Sequence, residues 1–501
     1  MARSAPGWPA DIDIGACALV KAILFALFGA TFVAAIPYPW IGVIASYMMA
    51  LLTPQHIWYW HFEGLRAVAM VTAPTFIGFA IQLLAGRIDF GPWFNVRVLL
   101  MALLWLAYVQ SYLFGPYVDL VNDYRFTQPD WAVSVINKIL LMYFLALLLI
   151  DREYKLKALA WMVAVSSMYL IYWANYQYVS GNWLFMQGAQ WGRLSGPTNP
   201  AGQGPYLDEN NFSLFFVATL PLLWHISLLV KQWWWRGALL LFIPFGWHAI
   251  FLAGSRGGLL GLGIITFVIG FRSKYRKIGL MLLPALALAY VLQAGDTMKN
   301  RATTIDDFQT ERSAATRLEA WSAAIAMMER HPITGVGIAS FAPAFASFSD
   351  YQPREAHNTF FHISGESGVW AGIVYLLINA MNILTTWRLS GRLKIRTDER
   401  GLFLFHMNEA ALAASIGFFV CSMFLSLQLI ELFYFICLFV NITAGLSERY
   451  LKEVDPEGST SGEAPAGVAA PSRDKHGRAR KRRPSPAGAG APDQAVIGKN
   501  P

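Results

Sequence analysis

Apolar residues fall in blocks of about 16 to 23 along most of the chain, and a block of that length crosses a hydrocarbon core as one helix. The blocks lie near 14–35, 38–53, 64–84, 97–115, 131–150, 157–178, 211–230, 237–253, 257–271, 278–294, 365–387, 402–424 and 426–446. The second is short enough to be re-entrant or interfacial. The expected fold is therefore all-α, a polytopic membrane protein of about 12–13 transmembrane helices. One long polar stretch, 295–364, breaks the rhythm. It divides the chain into an N-terminal transmembrane bundle over 1–294, a loop domain over 295–364, C-terminal transmembrane helices over 365–446 and a tail over 447–501.

The loop domain has helical signals of its own. Thr316-Arg317-Leu318-Glu319 has the spacing of a capping box, which predicts a helix start there. Leu318, Trp321, Ile325 and Met328 then repeat at three and four residues as an apolar face. His331-Pro332 and Gly335 stop the helix. From about Leu451 the chain turns to Pro, Gly, Ala and Ser with scattered charge, a composition that buries no core and reads as disordered.

Charge gives the blocks a direction. Only 14% of residues are charged, against roughly a quarter in soluble domains. The net charge of +8 is concentrated in short connections and the tail: Asp151–Lys157, Arg272–Lys277, Trp387–Arg400 and Arg473–Arg483. Counting blocks puts all four on one side, which the positive-inside rule makes cytoplasmic, C-terminus included. The charge is thus topogenic, and the partner it implies is the lipid bilayer rather than nucleic acid. The opposite, periplasmic side receives 116–130, 180–210, the 254–257 turn and the loop domain. The N-terminus lacks the basic region of a cleaved signal, so the first block is expected to stay. Cys17, Cys421 and Cys437 all sit in apolar blocks, with no spacing for a disulfide or metal site.

Candidate chemistry gathers on the periplasmic side. Arg256 stands in Ala253-Gly254-Ser255-Arg256-Gly257-Gly258 between two apolar blocks. A charge at that depth faces a polar cavity or a partner, or else snorkels to the headgroups. His357, followed by Asn358, lies a few residues before the eleventh block; it is a candidate general base, or a packed capping residue. His362 and Glu366 are close enough in sequence to orient or support it. Arg312, Arg317 and Arg354 share the loop domain. Before the seventh block, Tyr206-Leu207-Asp208-Glu209-Asn210-Asn211 sets Asp208 and Asn211 at the membrane mouth, either as ordinary loop chemistry or as contacts for sugar hydroxyls. His357 and His362 are five apart and share no helix face, so no metal site is expected. P-loop, dinucleotide and Gly-x-Ser-x-Gly motifs are absent from the sequence. Few charges, mainly Lys21 and Glu409, lie within the blocks, which argues against a proton-coupled transporter.

Together, Gly254-Ser255-Arg256-Gly257-Gly258, the series Arg317…Trp321…Pro332-x-x-Gly335-x-Gly337 and His357-Asn358…Glu366-x-Gly368 resemble the O-antigen ligase and O-antigen polymerase superfamily. Ser46-Tyr47-Met48…Pro54-Gln55-His56 and the 206–211 segment look most like its exosortase-associated O-glycosylation ligase branch. The resemblance implies a cofactor-free, metal-independent glycosyltransferase of the bacterial inner membrane. Its donor would be an undecaprenyl-diphosphate-linked glycan and its acceptor a hydroxyl on lipid A core or protein. It places Arg256 and Arg317 on the diphosphate, with Arg312 and Arg193 as alternates, and His357 as catalytic base; Asp208, Asn211, Asn358 and Glu366, read from the residues themselves, are the candidate substrate contacts and supports. A repeat-unit polymerase using the same donor is the nearest alternative. A polysaccharide-precursor transporter is the alternative of another class; it would carry polar residues through the mid-bilayer, whereas here they collect at one edge.

Overall fold

The computed structural model describes residues 14–121, 123, 126–181, 193–199, 202–273, 276–293 and 312–455. Among the described residues there is no β-strand, and the apolar blocks are helices: α1 (Ile14–Ala35), α2 (Pro39–Leu51), α3 (Ala67–Leu84), α4 (Val96–Phe114), α5 (Pro129–Leu149), α6 (Glu153–Val179), α7 (Glu209–Leu229), α8 (Trp233–Ala253), α9 (Arg256–Arg272) and α10 (Leu282–Gln293). Then come α11 (Arg312–Arg330), α12 (Thr359–Ser367), α13 (Val369–Leu393), α14 (Glu399–Ser422) and α15 (Glu431–Val454). Nine of these, α3–α8 and α13–α15, are long and apolar enough to cross a membrane. The apolar α1, the shorter α2 and α10 and the 17-residue α9 occupy the remaining predicted positions.

Local chemistry sets the starts. Pro39 and Pro129 open α2 and α5, where a missing N–H is harmless. Asn95, Asp208, Ser255, Asn358 and Asp398 cap α4, α7, α9, α12 and α14 through side-chain oxygens. Pro74, Pro221 and Pro244 lie inside α3, α7 and α8, an arrangement that neighbouring helices make tolerable in a bundle.

The core is built around α7. It packs against α6, α8, α9 and α14, and Phe212, Leu214, Phe215, Phe216 and Val217 are all fully buried. A helix apolar on every side belongs in such a position. Gly258 and Gly261 let α9 close onto α7 and α14 through Ser213, Val217 and Cys421.

The two ends of the bundle differ. At the basic end Arg400 binds Glu153 and Glu453, Lys231 meets Glu399 at 3.8 Å, and Trp40 packs edge-on to Tyr154. At the loop end the connections are sewn together through the backbone. Tyr206 Oη donates to Leu51 O (2.8 Å), Leu194 N to Leu252 O (2.9 Å) and Tyr117 N to Val336 O (3.0 Å).

Three expectations change in this layer. Helix α11 begins at Arg312, four residues before the predicted cap, and Glu319 pairs with Arg354 at 2.9 Å instead of closing a capping box. Its buried face is Ala320, Ala323, Ala324 and Met327, packed on Val336, Phe341 and Phe345, while Leu318 and Ile325 are 52% and 45% exposed. Small side chains let the helix lie close to the loop beneath it, and only Trp321 and Met328 of the predicted stripe are half-buried. At the other end of the chain, α15 runs to Val454 with Tyr450 and Leu451 buried, past the predicted start of the tail. Residues 295–311 of the loop domain and 456–501 of the tail lie outside the described residues.

Candidate functional site

The start of α7 and the α8–α9 turn meet at the loop end, and Arg193 joins them. Its Nε donates to Ala253 O (3.1 Å), Nη2 donates to Asn210 Oδ1 (3.1 Å), and Nη1 pairs with Glu209 at 3.1 Å. All three guanidinium nitrogens are thus engaged, which fixes the plane of the group. Gly254 ends α8 in the left-handed region (φ 60°), where a side chain is strained, and a Cβ there would meet Arg193 Cγ at 3.1 Å. Ser255 then accepts from Gly258 N (3.1 Å), so Arg256 is the first residue of α9 and is half-buried at its positive dipole end. Asp208 caps α7 by accepting from Asn210 N (2.7 Å) and Nδ2 (2.8 Å), and Asn211 sits half-buried in the same first turn.

His357 approaches this mouth from the other half of the chain. Its backbone is left-handed (φ 47°), a conformation that costs a non-glycine residue of order 1–3 kcal/mol. The neighbours enforce it. Trp321 Nε1 donates to Ala356 O (3.0 Å), and His357 N donates to Ser426 Oγ (3.2 Å). Asn358 caps α12 while its Nδ2 donates to Met423 O (3.2 Å), and Thr359 Oγ1 donates to Leu425 O (2.7 Å). The histidine is therefore pinned between α11 and the α14–α15 connection. That same connection supplies Phe424, whose ring lies 5.9 Å below the Arg317 guanidinium and also against Gly257.

Electrostatics link the two halves. Burial, and after it the Arg317 charge, holds the His357 imidazole below its ordinary value, while Asp208 pulls it upward. Arg317 and Asp208, 109 positions apart in sequence, thus act on one imidazole. The result is a half-buried neutral ring able to accept a proton at neutral pH. Arg312 opens α11, and its side chain lies outside the described residues.

Glu366 holds the floor of the site. It is 1% exposed, and its carboxylate accepts from Ala339 N (2.8 Å), Phe341 N (2.9 Å) and the Gln428 amide. His362 lies between Glu366 (3.3 Å) and Glu355 (3.2 Å). Burial alone would push that imidazole down; Glu366 and Glu355 together outweigh it and raise it to about 9. Ser111 Oγ and Gly337 N bind the Glu366 carbonyl, so this one residue fastens α12 to α4 and to the 336–341 loop. Among the described residues no group of three His, Cys, Asp or Glu side chains is placed to hold a metal ion.

Arg193, Asp208, Asn211, Arg256, Arg317, His357 and Asn358 thus stand on segments that meet at one end of the bundle. Sequence reasoning did not find Ser426, Phe424 or Gln428. They fall inside the predicted blocks 402–424 and 426–446, whereas the structure breaks the helices there between Ser422 and Glu431. Trp321 was read as an apolar-face residue, although its N–H is what fixes Ala356 beside His357.

Residues 237–376, from the first turns of α8 into α13, match the family model described as O-antigen ligase. The match contains Arg256, Arg312, Arg317, His357, Asn358 and Glu366, and bears on the superfamily rather than on a branch of it. No curated protein matches the chain.

Proposed function

From the match of residues 237–376 to the O-antigen ligase family model, we propose that the chain transfers a glycan from a polyprenyl-diphosphate carrier to a hydroxyl acceptor, lipid A core or protein, without a metal. In this reading the loop end faces the periplasm and the basic end the cytoplasm, the orientation that the distribution of Lys and Arg favours. The observation that carries the proposal is the pinned, neutral His357 with Arg317 and Asp208 acting on the same ring.

In the proposed step the acceptor O–H gives its proton to His357, and the oxygen attacks the anomeric carbon of the donor sugar. The bond from that carbon to the phosphate oxygen breaks, and the carrier diphosphate leaves with the electron pair. Arg256 and Arg317 receive the charge that develops on it, because a guanidinium binds phosphate oxygens in a fixed two-point geometry. Arg193 and Arg312 are the alternates for that contact. Asp208 raises the basicity of His357, Asn211 faces the sugar, and Asn358 and Glu366 keep the histidine loop in place.

The test is purified protein with a lipid-diphosphate-linked glycan. Carrier diphosphate should be released when a hydroxyl acceptor is present and not in its absence. Release of no diphosphate with any glycan acceptor, in protein that still binds the donor, would overturn the proposal.

A further inference from the structure

A chamber of about 660 Å³, lined by both polar and apolar side chains, opens at the loop end and includes none of the residues given to the transfer site. Sites for small ligands commonly enclose about 300–1,000 Å³. The chamber forms where two short helical turns, Pro54–Ile57 and Tyr59–Phe62, bring the chain from α2 round to α3. Its polar lining includes His56, Glu63 and Arg66 from that segment, Asn199 from the 193–199 loop and Lys138 from α5.

Lys138 is the informative residue. It lies nine positions after Pro129 in a 21-residue apolar helix, about 13 Å along the axis. A lysine at such depth is costly unless it faces a polar space or an anion. The side chains of Lys138 and Arg66 form no ion pair or hydrogen bond with a described residue, and both residues are exposed. Glu63 lines the same space without pairing to either. The Nδ1 of His56 is buried and meets no described protein partner. Two unpaired cations against one carboxylate leave the chamber net positive.

The remaining walls identify the ligand class. Phe62, Leu65 and Val68 line the chamber, and Val68, Phe76, Ile77 and Ile81 of α3 stay 39–51% exposed as an outward apolar face. Trp58, Tyr59 and Trp60 surround the entrance turns, as aromatic side chains do at headgroup level. A cationic recess bordered by an apolar helix face fits an anionic group carried on acyl chains better than a free solute. We propose that this chamber binds the phosphate-bearing headgroup of a membrane lipid, with Lys138 and Arg66 on the phosphate and His56 and Asn199 as hydrogen-bonding partners. The proposal needs only that the bundle lies in a bilayer and is independent of the transfer reaction.

The experiment is full-length protein in phosphatidylcholine nanodiscs doped with phosphatidylglycerol, with the lipids retained on progressive delipidation counted by native mass spectrometry. Wild type should retain phosphatidylglycerol in preference to phosphatidylcholine. Lys138→Gln and Arg66→Gln should each weaken that preference roughly tenfold, the equivalent of one charge-assisted hydrogen bond, and Lys138→Arg should restore it. Glu63→Gln should strengthen it, a gain that no folding defect produces. Equal retention of the two lipids by wild type, or an unchanged preference in folded Lys138→Gln, would overturn the proposal. So would displacement of phosphatidylglycerol by millimolar inorganic phosphate, since the site would then serve a soluble anion.

Discussion

His357 and His362, five positions apart, are driven in opposite directions by their surroundings, which predicts one pH dependence for transfer and a separate one for stability. His357 is held low by burial and Arg317, so as the proposed base it stays unprotonated until pH falls below the ordinary imidazole value of 6.5. Transfer should therefore lose rate on the acid side later than a solvent-exposed histidine would dictate. His362 is raised from 6.5 to about 9 by two carboxylates. A raised value means that its stabilising contribution is fully present below 6.5 and is lost as pH climbs through about 9. Thermal unfolding followed from pH 6 to 10 should show that loss, and His362→Ala should abolish the pH dependence while lowering stability throughout. A flat wild-type curve would show that the Glu355–His362–Glu366 group does not charge as described. The arginines make a separate prediction. Arg256→Lys and Arg317→Lys keep the charge but not the planar fork, so each should weaken binding of the diphosphate donor by roughly tenfold in a direct titration. Normal donor affinity in both would mean that a point charge suffices.

Among the elements, the helices were legible and the joints were not. Continuous apolar runs are a strong signal because a bilayer leaves the backbone few alternatives to a helix, and the thirteen blocks reappear close to their predicted places. The loop layer failed where local rules met distant partners. Thr316 and Glu319 have capping-box spacing, but Arg354 claims the Glu319 carboxylate. Leu318 and Ile325 have the right period for a core stripe, but the alanines on the adjacent face allow a closer approach. His357 and Arg256 could be singled out because a charged or titratable residue beside an apolar block is conspicuous. Ser426, which holds the His357 backbone, had no such contrast. The joint between α11 and α12 gives a direct check. Gly335 is left-handed (φ 67°) and a Cβ there would collide with the Glu366 backbone, where Val336 N donates to Gly365 O (2.9 Å). Gly335→Ala should cost at least about 1–3 kcal/mol of stability and reduce transfer by loosening the histidine loop. A Gly335→Ala protein as stable and active as wild type would show that this crossing is not needed.

At the scale of the whole molecule the proposed function divides the bundle between two tasks, with the basic end fixing orientation and the loop end holding the chemistry. Impermeant thiol labelling in intact cells tests that orientation. Asp350→Cys, exposed in the loop layer, should react from outside, and Lys394→Cys, exposed at the basic end, should not. Ser195 makes a poor reporter because it is 4% exposed. Labelling of Lys394→Cys alone would invert the molecule and remove the site from the compartment of its proposed substrates. The most direct test of the central claim is a paired measurement of donor binding and acceptor-dependent diphosphate release in wild type and His357→Ala. General-base assistance is commonly worth about a hundred- to ten-thousand-fold, so release should fall by that order in His357→Ala while donor affinity and thermal stability stay near wild type. Near-normal release from folded His357→Ala would contradict the account.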